Sequence, residues 1–89
     1  MKTLIEENYE STVLRKCIDY KTRKLHFLMK LKEEVSEVEH SYYSDDDGIW
    51  EEIADVILVC LNMAKHYNID IETELKNKVK KNYKRSESN

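Results

Sequence analysis

A chain of 89 residues with no proline and a single glycine, Gly48, has few means of making tight turns. A β-rich fold needs many of them, so the chain is confined to helices. The apolar residues agree, because they recur at helical spacing. Ile5, Tyr9, Val13 and Cys17 follow every four residues, with Leu14 and Ile18 beside them. Leu28, Leu31, Val35, Val38 and Tyr42 form a second stripe. Ile49, Ile53, Val56, Ile57, Cys60, Ala64 and Tyr67 form a third, and Ile71, Leu75, Val79 and Tyr83 a fourth. The pattern predicts an all-α chain, one domain over residues 1–89, with helices at about 3–18, 24–43, 46–66 and 71–85.

The boundaries have local causes. Thr3-Leu4-Ile5-Glu6 reads as a capping box. Asp19 to Thr22 is the expected break after the first helix, since one helix from 3 to 43 would run about 60 Å. Ser44-Asp45-Asp46-Asp47-Gly48 is a turn; it lacks the alternate spacing and closing glutamate of a calcium loop. Asp70 is the expected N-cap of the fourth helix, and the tail from Ser86 to Asn89 is expected to fray. A chain this short buries a limited core. The run Val56 to Ala64 is apolar except for Asn62, which predicts a third helix buried on most sides. Three short neighbours cannot cover it, so the bundle is expected to be completed by dimerisation.

Composition narrows the function. A net charge of −3 argues against a general binder of nucleic-acid polymers. Two cysteines give no disulfide framework or zinc spacing, and Cys17 and Cys60 read as core residues. His26 and His40 have no partner at a metal-ligand spacing. Neither a leader nor a membrane-spanning stretch is apparent, so a cytoplasmic protein is expected.

The chemistry lies in two acidic pairs. Glu34 and Glu37 are three residues apart, as are Glu52 and Asp55 on the next helix, so each pair projects from one face. At 100° per residue, Glu34 falls within about 60° of Phe27, Leu31 and Val38, inside the apolar stripe. Asp55 directly precedes the apolar run. Acidic residues usually lie on solvated faces. Carboxylates next to apolar stripes must instead be protonated, paired or bound to a cation. Four oxygen donors suit a hard divalent ion, most simply Mg²⁺.

Asn62 and His66 share the Asp55 face. Asn62 is a candidate for a substrate hydrogen bond or a satisfied buried amide; His66 reads as a surface residue near the helix end. Lys78, Lys81, Asn82 and Arg85 make a one-sided stripe on the fourth helix. It either matches the helix dipole or binds anions. Trp50 reads as a core or interface residue, or as a surface for stacking a base.

Glu33-Glu34-Val35-Ser36-Glu37, Glu52-Ile53-Ala54-Asp55-Val56, Asn68-Ile69-Asp70-Ile71, and Lys78 through Asn82 to Arg85 together resemble the MazG family of all-α nucleotide pyrophosphatases. The resemblance covers roughly Leu25 to Arg85, and the first helix fits by position only. It implies Mg²⁺-dependent hydrolysis of nucleoside triphosphates to monophosphate and pyrophosphate. It implies Glu34, Glu37, Glu52 and Asp55 as metal ligands, with Glu34 or Glu37 orienting the attacking water. Glu33 matches the first acid of the motif. The resemblance also implies Lys78, Asn82 and Arg85 as phosphate contacts, and a homodimer or homotetramer with sites near the subunit interface. Phosphoribosyl-ATP pyrophosphatase is a similar enzyme by fold and motif. A helical oligomerisation or regulatory module without catalysis is the alternative of a different class.

Overall fold

The computed structural model describes residues 3–87 and contains four α-helices in chain order: α1 (Leu4–Leu14), α2 (Lys24–Ser44), α3 (Ile49–His66) and α4 (Ile71–Glu87). No strand occurs among the described residues. The helix contacts that define the bundle are α2 against α3 and α1 against α3. The long central helix α3 is therefore the shared partner.

Helix α1 begins as expected, with Thr3 Oγ1 accepting from the Glu6 N–H at 3.1 Å. It ends at Leu14, four residues before the expected Ile18. The cause is Lys16, which takes a left-handed backbone with φ 62°. The Cys17 N–H then bonds the Thr12 carbonyl and the Lys16 N–H that of Val13, a Schellman closure. Glycine usually fills that position. Here all three such turns use other residues, since Asp45 and Asn68 take the same conformation after α2 and α3. The expected break at Asp19 to Thr22 lies inside the linker, where the Asp19 carboxylate accepts the Lys21 N–H. Ile18 is buried there.

Helix α3 starts at Ile49, three residues later than expected. The Asp46 carboxylate accepts the Gly48 N–H at 2.7 Å, and a Cβ on Gly48 would lie 2.9 Å from that same oxygen. A side chain there would displace the Asp46 carboxylate, the free end of an exposed side chain, so Gly48 favours this turn without being required by it. Asp70 does cap α4, accepting from both the backbone N–H and the hydroxyl of Thr73. Helix α4 runs two residues past the expected end, through Glu87; of the tail expected to fray, Ser88 and Asn89 lie outside the described residues.

The buried faces differ from the apolar stripes. On α2 the buried line is Phe27, Glu34 and Ser41, while Leu28, Val35 and Tyr42 are exposed. On α1 it is Thr12 that is buried, and Val13 and Leu14 are exposed. Cys17 and Cys60, expected in the core, are both exposed. So is Ile57, which makes α3 buried toward α1 and α2 but open on a third side.

Polar groups turn α1 toward α3. Asn62 is buried; its carbonyl accepts from Asn8 at 2.8 Å and its amide donates to Thr12 at 2.9 Å. His66, expected at the surface, is half-buried. Its Nε2 lies 2.7 Å from the Thr22 carbonyl, which can only accept, so Nε2 carries the hydrogen. In the neutral ring Nδ1 then accepts from the Tyr9 hydroxyl at 2.7 Å. One imidazole thus fastens α1 and the linker to the end of α3, with Phe27 and Tyr67 against its ring.

Helix α4 contributes no buried residue, and Leu75, Val79 and Tyr83 are all exposed. The radius of gyration is 15.5 Å, against about 12 Å for a compact globule of this length. The excess reflects a helix that projects from the other three.

Replacing Asn62 with alanine should remove its bonds to Asn8 and Thr12, leaving Asn8 the Leu58 carbonyl and Thr12 the Asn8 carbonyl as partners. Urea unfolding should show a loss of about 1–3 kcal/mol, two hydrogen bonds at about 0.5–1.5 kcal/mol each.

Candidate metal centre

Helices α2 and α3 pack with their acidic turns facing. Glu34 and Glu37 come from one and Glu52 and Asp55 from the other. One carboxylate oxygen from each can be chosen so that all four lie within 4.8 Å of one another. Opposed oxygens around one Mg²⁺ are about 4.2 Å apart, so the span matches a single-ion scale.

Burial is graded across the cluster. Glu34 is buried, Glu52 is half-buried, and Glu37 is exposed. Glu34 Oε2 and Glu52 Oε2 are buried without a hydrogen-bond partner. Orphaned carboxylate oxygens carry a large desolvation cost unless a proton or a cation meets them. The donor set is all oxygen, which fits Mg²⁺ better than a softer ion.

The charges act on one another. A hydrogen bond shared with Glu52, followed by the charge of Glu34, pushes the Glu37 carboxyl above its ordinary value. On the other side, Lys30 Nζ lies 3.0 Å from Glu34 Oε1 and 3.5 Å from Glu33 Oε1. The hydrogen bond to Glu34 raises the Lys30 ammonium above its ordinary value. Lys30 was not among the residues singled out from the sequence. Its i,i+3 and i,i+4 relation to the two glutamates was the available signal.

The cluster opens onto a cleft of about 490 Å³ between α1, the linker, α2 and α3. Glu34, Asp55, Lys30, Arg15, Phe27 and Asn8 are among its lining residues. That volume is in the range of small-ligand sites. Asn62 also reaches the cleft, although its amide is already bonded to α1. Lys78, Asn82 and Arg85 are exposed on α4 and line neither this cleft nor the apolar groove beside it. Trp50, expected in a core or interface, is exposed in the single chain.

These features define a class: an all-α helical protein whose paired acidic turns form a cluster able to hold a metal ion. The particular family follows from sequence comparison. The MazG-like family model matches residues 24–89, and the chain belongs to that family. The match supports a nucleotide pyrophosphatase-type protein, and Mg²⁺ use is general in the family. No curated protein and no solved structure matches the chain. No helix among the described residues is long and apolar enough to cross a membrane.

The raised Glu37 carboxyl gives a signed pH effect. Between its ordinary value of 4.5 and the raised folded value, the folded chain binds more protons than the unfolded one. Stability contributed by this group therefore falls as pH rises through that window. In EDTA, this group should raise the melting temperature as pH is lowered through the window. Glu37→Gln should flatten that rise.

Proposed function

We propose that this chain is a Mg²⁺-dependent nucleoside triphosphate pyrophosphohydrolase, releasing nucleoside monophosphate and pyrophosphate and acting in housecleaning of (deoxy)nucleotides. The observation that supports it most is the pair of orphaned buried oxygens, Glu34 Oε2 and Glu52 Oε2, in a four-carboxylate cluster facing a nucleotide-sized cleft. Family membership supports the reaction class.

In this reading Glu34, Glu37, Glu52 and Asp55 hold the metal. Bound Mg²⁺ would supply charge neutralisation for the phosphates and acidify a water. The division of labour among the acids follows from their surroundings. Glu34 is anchored by Lys30 and is a poor candidate to move a proton. Glu37 is exposed, so a water can reach it. It is the better group to orient and deprotonate the attacking water. The cleft between α1 and α2 receives the nucleoside.

Lys78, Asn82 and Arg85 suit the outer phosphates, and their helix is the one that projects from the bundle. A second copy gives that helix a partner. Leu28, Val35 and Tyr42 on α2, Ile57 on α3, and Leu75, Val79 and Tyr83 on α4 leave a large apolar surface open. Burying it between copies is favourable by about 25 cal/mol per Å². We therefore propose a homodimer or homotetramer.

A panel of nucleotides, phosphoribosyl-ATP included, assayed for pyrophosphate with Mg²⁺ tests the activity. Glu34→Gln and Asp55→Asn should each lower turnover about 100-fold or more while the far-ultraviolet circular dichroism stays helical. Wild-type turnover in both variants would remove the assignment. Light scattering at micromolar concentration should give a mass of at least two chains; a monomer would contradict the assembly.

A further inference from the structure

The two oxygens of Glu34 have different surroundings. Oε1 is paired with the Lys30 ammonium at 3.0 Å. Oε2 is buried, has no hydrogen-bond partner and belongs to a carboxylate placed in the acidic cluster. The Glu34 side chain is only 9% exposed, whereas that of Lys30 is 45% exposed. A buried carboxylate requires a counter-charge, and Lys30 supplies it from the edge of the cluster. Lys30 also lines the cleft, together with Arg15.

A lysine in that position faces two demands. Its positive charge stabilises Glu34 before a divalent ion binds, and it opposes that ion once the ion arrives. A nucleotide relieves the conflict, because its phosphate oxygens offer the ammonium a second anionic partner. Lysine suits such an exchange: it is a compact point charge on a flexible four-carbon stem, and its half-exposed position leaves it room to move. Glu33, 3.5 Å from the same ammonium, also lines the cleft and shares the lysine with Glu34.

Resting on the Mg²⁺–nucleotide reading above, we propose that Lys30 is an exchangeable counter-ion, paired with Glu34 before metal binds and transferred to a phosphate oxygen when the metal-bearing nucleotide enters the cleft. Lys30 then lowers the affinity for free Mg²⁺ and raises that for the nucleotide. The site is thereby biased to fill with metal and substrate together.

The test is Lys30→Gln and Lys30→Met, with Lys30→Arg as the charge-retaining control. Calorimetric titration with Mg²⁺ alone should show tighter binding in both neutral variants, by up to about tenfold, as expected for removing one charge near a divalent ion at a half-exposed site. At saturating Mg²⁺ the KM for the nucleotide should rise by about tenfold in the same variants, the value of one charge-assisted phosphate contact. Lys30→Arg should stay close to wild type in both. A residue with a purely structural role would not move the two values in opposite directions. Unchanged or weaker Mg²⁺ binding in the neutral variants overturns the proposal, and so does an unchanged KM. A wild-type protein that binds no Mg²⁺ or hydrolyses no nucleotide removes the pyrophosphatase reading and this proposal with it. Wild-type binding and turnover that both neutral variants match removes the role of Lys30 alone.

Discussion

The structure depends on a carboxylate placed where an apolar side chain would ordinarily go. Glu34 occupies the face of α2 that packs on α3, between Phe27 one way and Ser41 the other. An acid in that position must be protonated, paired or bound to a cation. Lys30 meets one oxygen. The other is left among Glu37, Glu52 and Asp55, where added acids worsen the electrostatics. Such a cluster is costly as architecture and useful as a receptor for a hard cation, which links its placement to its chemistry.

The rest of the bundle holds these acidic turns in register. Helix α1 is fastened to α3 by hydrogen bonds as much as by apolar contact, through Asn8, Thr12 and Asn62 at its middle and through Tyr9 and His66 at the end of α3. Directional bonds of this kind specify one alignment where a smooth apolar seam permits sliding. The same arrangement shapes the cleft. It is lined by Asn8, Thr12 and Asn62 of the α1–α3 contact and by Glu34 and Asp55 of the acidic cluster.

The four helices, their order and the acidic pairing were legible in the residues. Turn-poor composition and helical periodicity specify the class, and i,i+3 spacing puts each acid pair on one face whatever the tertiary context. Helix ends were less legible. The Schellman closure at Lys16 has no glycine to announce it, so α1 ends four residues early. His66 was misread as a surface cation. Its role depends on Tyr9 and Thr22, which are 57 and 44 residues away in sequence. Cys17, Cys60, Val13 and Leu14 were misread as well, because hydrophobicity marks residues able to be buried without saying which are covered.

The sequence by itself determined an all-α chain with two acidic pairs beside apolar stripes, since both follow from spacing along a helix. Only the tertiary structure decided that the four carboxylates meet within 4.8 Å, that Lys30 takes one oxygen of Glu34, and that a cleft opens beside them. It also decided that α4 stands apart with its stripe uncovered. The physical reason is that periodicity gives the face a residue occupies on its own helix. The rotation of that helix against its neighbours is set by side chains distant in the chain, here the polar ties of α1 and the packing of α2 on α3.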